Sequence, residues 1–483
     1  MKRVILVNPD LGFSWAGYMN KPNLPLAILH VGSAVSRAGF EVDLIDQRVE
    51  KDWESRLLAG LREEPLCVGI SSMTGTQILG GLAVAEIVRR HCRAPIVWGG
   101  IHPSLMPEQT LANPLVDFVV RGEGEATMTE LCGVLAGRGD PAEVHGVSYR
   151  ETGRVRHNPD REHIDLDATD PLDYELLDLS RYIRTVNGRR AVNFITSRGC
   201  PHACKYCYAG RFHGRHWRAL SVEHVLARLR ALMDRYGVNS FWFDDDEFFV
   251  NLERTRELLE GLRKLNVTWS SRGARIDSIL RMDDRFLDLV VESGCHRLAS
   301  GVESGSDRIL AMIGKSITRE DARSAMRRLR ERNLYPRVNF MMGFPTETME
   351  DLRMTVSLAL ELSRDNPRLL FAPFSFFTPY PGCDLFDMAV EHGFEPPDAL
   401  AKWARMRLTV FNASWVPRAM WTPIRMLAFT TPFLNESVDT RPSRGVRMLS
   451  RLYRPLARSR IRHFFFRFPL EIALAKGLNL YDR

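Results

Sequence analysis

The 483-residue sequence predicts an α/β chain: a doubly wound parallel sheet, then a partial (β/α) barrel, then a helical extension. Three observations predict it. Short apolar runs alternate with helical periodicity twice over, a polar stretch separates the two alternations, and basic charge collects at the far end. Residues 4–7 read as a buried strand between Lys2-Arg3 and Asn8-Pro9, and the run is too short for a secretory leader. Residues 26–38 follow as an amphipathic helix closed by Gly39. Strands at 41–45, 67–70, 96–98 and 118–120 come next, with a helix at 77–91 and another from Ala126. Ligands of such a sheet bind beyond the carboxyl ends of its strands. The loops there are Ser71-Ser72-Met73-Thr74-Gly75-Thr76, Gly99-Gly100-Ile101-His102-Pro103 and Arg121-Gly122-Glu123-Gly124-Glu125.

Residues 146–180 form a polar connector with a strand-like piece at 147–149. The second alternation places strands at 192–196, 240–243, 268–272, 297–301, 337–342 and 370–377, with helices between them, including 222–236. Six β/α units suit a full or partial barrel whose site gathers at the strand C-termini. From about Glu391 the chain is helical and basic.

Composition excludes collagen-like, coiled-coil and disordered classes: 45% of residues are hydrophobic and 26% charged. The uncharged run 65–85 contains Ser, Thr, Gln and Gly and divides into strand, loop and helix, so it is not read as a spanning helix. The net charge of +7 is unevenly spread. Residues 404–483 carry fifteen Lys or Arg against four Asp or Glu, which leaves residues 1–403 at −4. Any polyanionic partner therefore belongs to the tail.

Eight cysteines are too sparse for a disulfide scaffold. Cys67, Cys92, Cys132, Cys295 and Cys383 are scattered and read as buried small hydrophobes. Cys200, Cys204 and Cys207 instead lie within eight residues, spaced C-x3-C-x2-C, on the loop after the strand at 192–196. Structural zinc wants four N/S ligands in separated pairs, and ferredoxin spacing brings a fourth Cys. Three thiolates on one tight loop suit an iron–sulfur cube with one iron open to a small chelating ligand. Zinc, with His202 as a fourth ligand, is the alternative.

These cysteines resemble the signature of the radical S-adenosylmethionine (SAM) superfamily, in the branch with an N-terminal cobalamin-binding domain. Further segments resemble that branch in the right order over residues 1–390: the acidic run 241–248, Gly301-Val302-Glu303-Ser304-Gly305-Ser306, Gly343-Phe344-Pro345-Thr346-Glu347-Thr348, Thr378-Pro379-Tyr380-Pro381-Gly382, and the loops at 99–103 and 121–125. The resemblance implies an α/β fold with a Rossmann-like cobalamin-binding domain (1–145), a connector (146–190), a radical SAM core as a partial (β/α)6 TIM-like barrel (191–390), and a basic helical C-terminal extension (391–483). It implies three cofactors: a [4Fe–4S] cluster on Cys200, Cys204 and Cys207, SAM, and cobalamin.

The implied SAM contacts are Tyr206, Asp244, Asp245, Glu303 and Ser304, with Arg275 pairing one of the last two. Crowded carboxylates at 244–247 repel unless a cation such as the SAM ammonium offsets them; a solvated loop is the plainer reading. The implied cobalamin contacts are Ser71, Ser72, Thr74, Gly75, Thr76, Gly99, Gly100, His102, Gly122 and Glu123, with ordinary helix capping as the plainer reading of the hydroxyls. The D-x-H-x-x-G motif is absent, so cobalamin would bind without a lower-face histidine, and His102 reads as a loop residue rather than a cobalt ligand. No protein residue is assigned as the catalytic group.

The expected activity is reductive SAM cleavage to a 5′-deoxyadenosyl radical and methylation of an unactivated carbon or a phosphinate phosphorus, in a secondary-metabolite or lipid pathway. The alternatives are a ring-forming or rearranging radical enzyme of tetrapyrrole or lipid biosynthesis, and a non-catalytic iron–sulfur module that docks on membranes. Expected partners are a small-molecule substrate and an external flavodoxin- or ferredoxin-like electron donor. Residues 441–483 interleave Arg with Phe, Leu and Tyr; a solvated helical cap packing its Phe face on the barrel is the plainer reading, followed by peripheral contact with an anionic bilayer and then nucleic acid. The expected location is cytoplasmic, with that contact as its membrane association.

Overall fold

The structure, a computed structural model, describes residues 2–10, 21–334, 336–406, 413–435, 444–466 and 468. Among them, two sheets organise the chain. The first holds β1 (Arg3–Asn8), β2 (Glu41–Asp46), β3 (Cys67–Ser71), β4 (Ile96–Gly99) and β5 (Phe118–Val120), parallel and in the order 2-1-3-4-5. Val4, Ile5, Val7, Val68 and Ile96 are fully buried, as strands covered by helices on both faces require. The strand order reverses at β1 and β3, which opens a ligand crevice at their carboxyl ends.

Two features of this sheet differ from the sequence reading. A helix at Trp53–Leu61 covers β2, its apolar residues 53, 57 and 61 recurring at four-residue spacing. The connector also supplies β6 (Val147–Glu151) and β7 (Arg154–His157), antiparallel beside β5, so the sheet runs past residue 145. Thr152 and Gly153, at φ +48° and +82°, make the tight turn between them.

The connector ends in β8 (Arg184–Val186), which pairs antiparallel with β9 (Arg189–Phe194). A two-strand ribbon follows, β10 (Ser197–Arg198) with β11 (Arg218–Ala219). Then come β12 (Ser240–Phe243), β13 (Thr268–Ser271), β14 (Cys295–Glu303) and β15 (Pro336–Met342), all parallel and side by side with β9. The strand expected at 370–377 is two short pieces around Pro373, β16 (Leu370–Phe371) and β17 (Ser375–Phe376), both beside β15. Between them the Phe374 N–H donates to Thr431 Oγ1 at 3.4 Å rather than to a ladder.

With β8 at one edge and β16 at the other, the second sheet is a half-barrel. Alternation along β15 shows its sidedness. Val338, Phe340 and Met342 are buried, while Asn339 is exposed in the middle of an internal strand. The exposed side is the open lumen.

The tail packs back on this domain through Ile461 and Phe466, both in its core. Residues 441–443, 467 and 469–483 of the segment expected at a membrane lie outside the described residues. Among the described residues no helix is long and apolar enough to cross a membrane.

Candidate active site

The loop after β9 is held from below by the acidic segment after β12. Asp245, fully buried, accepts from Thr196 N (3.1 Å), Thr196 Oγ1 (2.7 Å) and Ser197 Oγ (2.5 Å). Burial pushes its carboxyl up to about 6, against the pull of those donors. Asp246 Oδ2 accepts from Gly199 N at 3.1 Å. Gly199 sits at φ +84°, and a Cβ there would stand 2.0 Å from the His216 carbonyl oxygen, so only glycine fits. Asp245, expected as a SAM contact, thus faces the loop that carries the cysteines and holds it mainly through Oδ1.

Cys200, Cys204 and Cys207 are free and half-buried on that loop. Arg275 Nη1 donates to Cys204 Sγ at 3.1 Å. Burial pushes the Cys200 thiol up to about 12 and Cys207 to about 11, so thiolates here need a cation beside them. An iron–sulfur cluster supplies it, and the donor set fits. Among the described residues no three His, Cys, Asp or Glu side chains gather as a single-ion site. A cube asks for no such point, since each thiolate takes its own iron.

Tyr206 and Glu303, expected as SAM contacts, are brought together. Tyr206 Oη donates to Glu303 Oε1 at 3.0 Å, and Lys315 Nζ reaches the same oxygen at 3.2 Å. Glu303 adopts φ +69°, a left-handed turn at the end of β14 that aims its carboxylate at the cysteine loop. Sequence reasoning missed Lys315, which carries no spacing signal and arrives from the loop after the helix Asp307–Met312. Arg275 pairs with neither Glu303 nor Ser304; it clasps Asp277 at 2.8 and 3.0 Å beside Cys204. Ser304, expected as a SAM contact, lies behind the turn. Fully buried, it bonds Thr355 Oγ1 at 3.1 Å and receives Ser306 N, which shapes the turn rather than a ligand surface. Asp244 faces Asn23 Nδ2 at 3.0 Å and Arg272 at 3.4 Å, and burial raises its carboxyl.

At the carboxyl edge of the first sheet, the loops at 71–76 and 99–103 interlock. Gly100 is at φ +96°, where a Cβ would stand 2.8 Å from Ser72 O. His102 is fully buried; its Nδ1 meets Thr74 Oγ1 at 2.9 Å, and its Nε2 has no hydrogen-bond partner. Burial holds the imidazole neutral, with its titration pushed down to about 4. Beside these, Met73 and Leu79 are exposed at 45% and 48%, and a Cβ on Gly122 would meet nothing within 4 Å. Exposed apolar side chains beside glycine loops and an orphaned buried nitrogen fit a large flat ligand carrying amide groups, as cobalamin does, although the Met406 carbonyl and the Trp403 ring close in on Gly75 and His102. Ser71, Ser72, Thr74, Gly75, Thr76 and Gly99 share this edge. Ser72 is buried, its hydroxyl turned to Met73 O at 3.1 Å. Glu123, expected as a cobalamin contact, is turned to the other side: its carboxylate accepts from Arg198 at 3.0 Å and from Arg218 at 2.9 and 3.0 Å, both on the β10–β11 ribbon.

A half-barrel with three thiols at its mouth, set against a doubly wound sheet, is the arrangement of a radical enzyme with three cofactors: a cluster, SAM and a corrin. Family models agree in the same places: Radical SAM superfamily at residues 194–359 and B12 binding domain at 21–132. An uncharacterized methyltransferase of Pyrococcus horikoshii is 31% identical over 394 residues, covering 80% of this chain and 83% of the relative. The cytidylyl-2-hydroxyethylphosphonate methyltransferase of Streptomyces wedmorensis is 25% identical, covering 82% and 83%. Among solved structures, the radical SAM methyltransferase TsrM from Kitasatospora setae, with cobalamin and a [4Fe–4S] cluster bound, aligns with a TM-score of 0.69 at 18% identity, covering 99% of each chain. This chain belongs to the radical SAM family that carries a B12-binding domain. It is a cobalamin-dependent radical SAM enzyme, and its cofactors are a [4Fe–4S] cluster, SAM and cobalamin.

Proposed function

We propose that the enzyme methylates an unactivated carbon, or a phosphinate phosphorus, of a small molecule in a secondary-metabolite or lipid pathway. The observation that carries this reading is the joining of the two carboxyl edges. The loop at 121–125 grips Arg198, two residues before Cys200, and Asn23 reaches Asp244, so radical source and methyl carrier open on one space. When bound, the cluster and SAM supply a carbon radical and cobalamin supplies a methyl group. In this reading Cys200, Cys204 and Cys207 hold the cluster, and Arg275 offsets the charge on Cys204. Tyr206, Glu303 and Asp244 orient SAM, with Lys315 fixing the Glu303 carboxylate. The platform formed by Met73, Gly75, Gly99, Gly100, His102 and Gly122 seats cobalamin. The reductant is a flavodoxin- or ferredoxin-like protein.

The test is anaerobic. The chain, reconstituted with iron, sulfide and hydroxocobalamin and given reductant and SAM, should form both 5′-deoxyadenosine and S-adenosylhomocysteine. 5′-Deoxyadenosine alone would favour ring formation or rearrangement, and neither product would sink the enzyme reading.

A peripheral contact with an anionic bilayer is proposed for the tail. On the helix Arg444–Arg462, Met448, Leu452 and Leu456 are exposed at four-residue spacing, flanked by exposed Arg451 and Arg462. Residues 441–470 contain no acid. The full chain should float with phosphatidylglycerol vesicles, and Leu452→Glu with Leu456→Glu should abolish it. Equal flotation of both proteins would end the idea.

A further inference from the structure

We propose that Glu123 is a positioning residue: it registers the cysteine loop on the loops at the edge of the first sheet, so that cobalamin binding tightens residues 196–208. The proposal rests on the reading that those loops seat cobalamin.

A continuous path of hydrogen bonds carries it. His102 N donates to Ser72 O at 3.2 Å, and Ser72 N to Gly99 O at 2.9 Å, which locks the first two loops together. Ser104 Oγ then donates to Gly100 O at 2.7 Å and accepts from Gly122 N at 2.9 Å, tying in the third. The next residue is Glu123. Its side chain is 7% exposed, and it accepts from Arg198, Arg218 and Ile164 N. Arg198 and Arg218 face each other across the β10–β11 ribbon, so one carboxylate clamps both strands of it. Arg198 also donates to Glu125 Oε1 at 2.6 Å. The two guanidiniums hold the Glu123 carboxyl down at about 2, so the clamp is fully charged at neutral pH.

From the other side, the carboxylates after β12 fix Thr196, Ser197 and Gly199 to the half-barrel floor. Among the described residues, the cysteine segment is thus anchored to the half-barrel through these bonds, Arg275–Cys204 and Tyr206–Glu303. It is anchored to the cobalamin edge through Arg198, which Glu123 and, meeting one strand alone, Glu125 hold. An ion pair with three good donors and little solvent is rigid, because losing one partner would leave a buried charge uncompensated. Ordering of the loops at 71–76, 99–104 and 121–125 by a ligand reaches both strands of the ribbon through Glu123, whereas Glu125 meets Arg198 alone.

The experiment is hydrogen–deuterium exchange on the full, cluster-loaded chain, with and without hydroxocobalamin. In the wild type, hydroxocobalamin should slow exchange of the 196–208 amides at least tenfold. Glu123→Gln should still show the bound corrin spectrum and the cluster absorbance, but slow those amides less than twofold. Arg218→Gln, which removes one donor and leaves Glu123 in place, is the second variant should the first fail to fold, and should give an intermediate slowing. Glu175→Gln, at a surface pair with Arg235, should behave as wild type. A purely structural Glu123 would speed exchange equally with and without the corrin. That result, or a tenfold slowing retained in Glu123→Gln, overturns the proposal. So does a wild type that binds the corrin with no slowing. A wild type that retains no corrin overturns the cofactor reading itself, and the spectrum identifies that case directly.

Discussion

Replacing Asp245 separates a loop anchor from a SAM contact. Its carboxylate satisfies three donors in a fully buried site: Thr196 N, Thr196 Oγ1 and Ser197 Oγ. Asp245→Ala leaves all three unsatisfied, at about 1–3 kcal/mol each. Against that stands the relief of ionising a buried acid. The shift from 3.8 to about 6 amounts to about 3 kcal/mol. This is a raised acid, so the native state holds its proton more tightly, and stability falls as pH rises from 3.8 to about 6 and is level above. With about 6 kcal/mol lost and about 3 recovered, the alanine variant should loosen the loop by about 3 kcal/mol at pH 7.5, roughly a hundredfold in the fraction of chains with a formed loop. Asp245→Asn keeps one oxygen to accept from the same donors and also escapes ionisation. Its new N–H2 lacks an acceptor, at a cost of about 1–3 kcal/mol that nearly cancels the relief. The assay is iron and sulfide content after anaerobic reconstitution, followed by SAM titration on the chains that retain a cluster. Asn should keep both cluster and SAM affinity, while Ala should lose the cluster. If Asn and Ala both keep the cluster and both lose SAM, Asp245 touches SAM and the anchor argument is wrong.

Two further perturbations follow from local geometry. Glu347, fully buried on the loop after β15, accepts from Gly343 N at 2.5 Å, and burial pushes its carboxyl up to about 8. Between pH 4.5 and 8 the unfolded chain ionises there and the native one does not, so wild-type stability declines with pH across that window, by on the order of 5 kcal/mol. Glu347→Gln removes the decline, and its calorimetric melting advantage over wild type should grow from pH 5 to pH 8; a constant difference would refute the assignment. Gly199→Ala forces a Cβ to 2.0 Å from a backbone oxygen at a positive φ, and should hold less than a tenth of the wild-type iron. Full iron content in that variant would show that the loop has another conformation.

Much of the fold is legible because buried strands and amphipathic helices print their period in the chain. The four residues 4–7 suffice for β1, and the helix Gln77–His91 begins and ends where the sequence suggests. What is not legible depends on partners distant in sequence. β7 has four exposed residues and exists only because β6 pairs with it. The strand at 370–377 is apolar enough to read as one, yet Pro373 cannot donate to a ladder, and the next N–H, of Phe374, donates to Thr431 Oγ1 of the tail instead.

The same logic explains why some motif residues bond other parts of the chain. Carboxylates concentrated in a short segment have to be neutralised, and a sequence shows the concentration without showing the neutraliser. For Asp245 it is two hydroxyls and an amide of the preceding strand's loop, 48 and 49 residues back. For Glu123 it is two arginines of the other domain, 75 and 95 residues on. In both cases the acid ends up holding the segment that bears the cysteines. Radical chemistry makes that assignment sensible. A cluster that works beside SAM and cobalamin depends on a rigid loop, and buried carboxylates with their donors supply rigidity that apolar packing of a polar, cysteine-bearing turn could not. The acids thus shape the active site through the loop they hold.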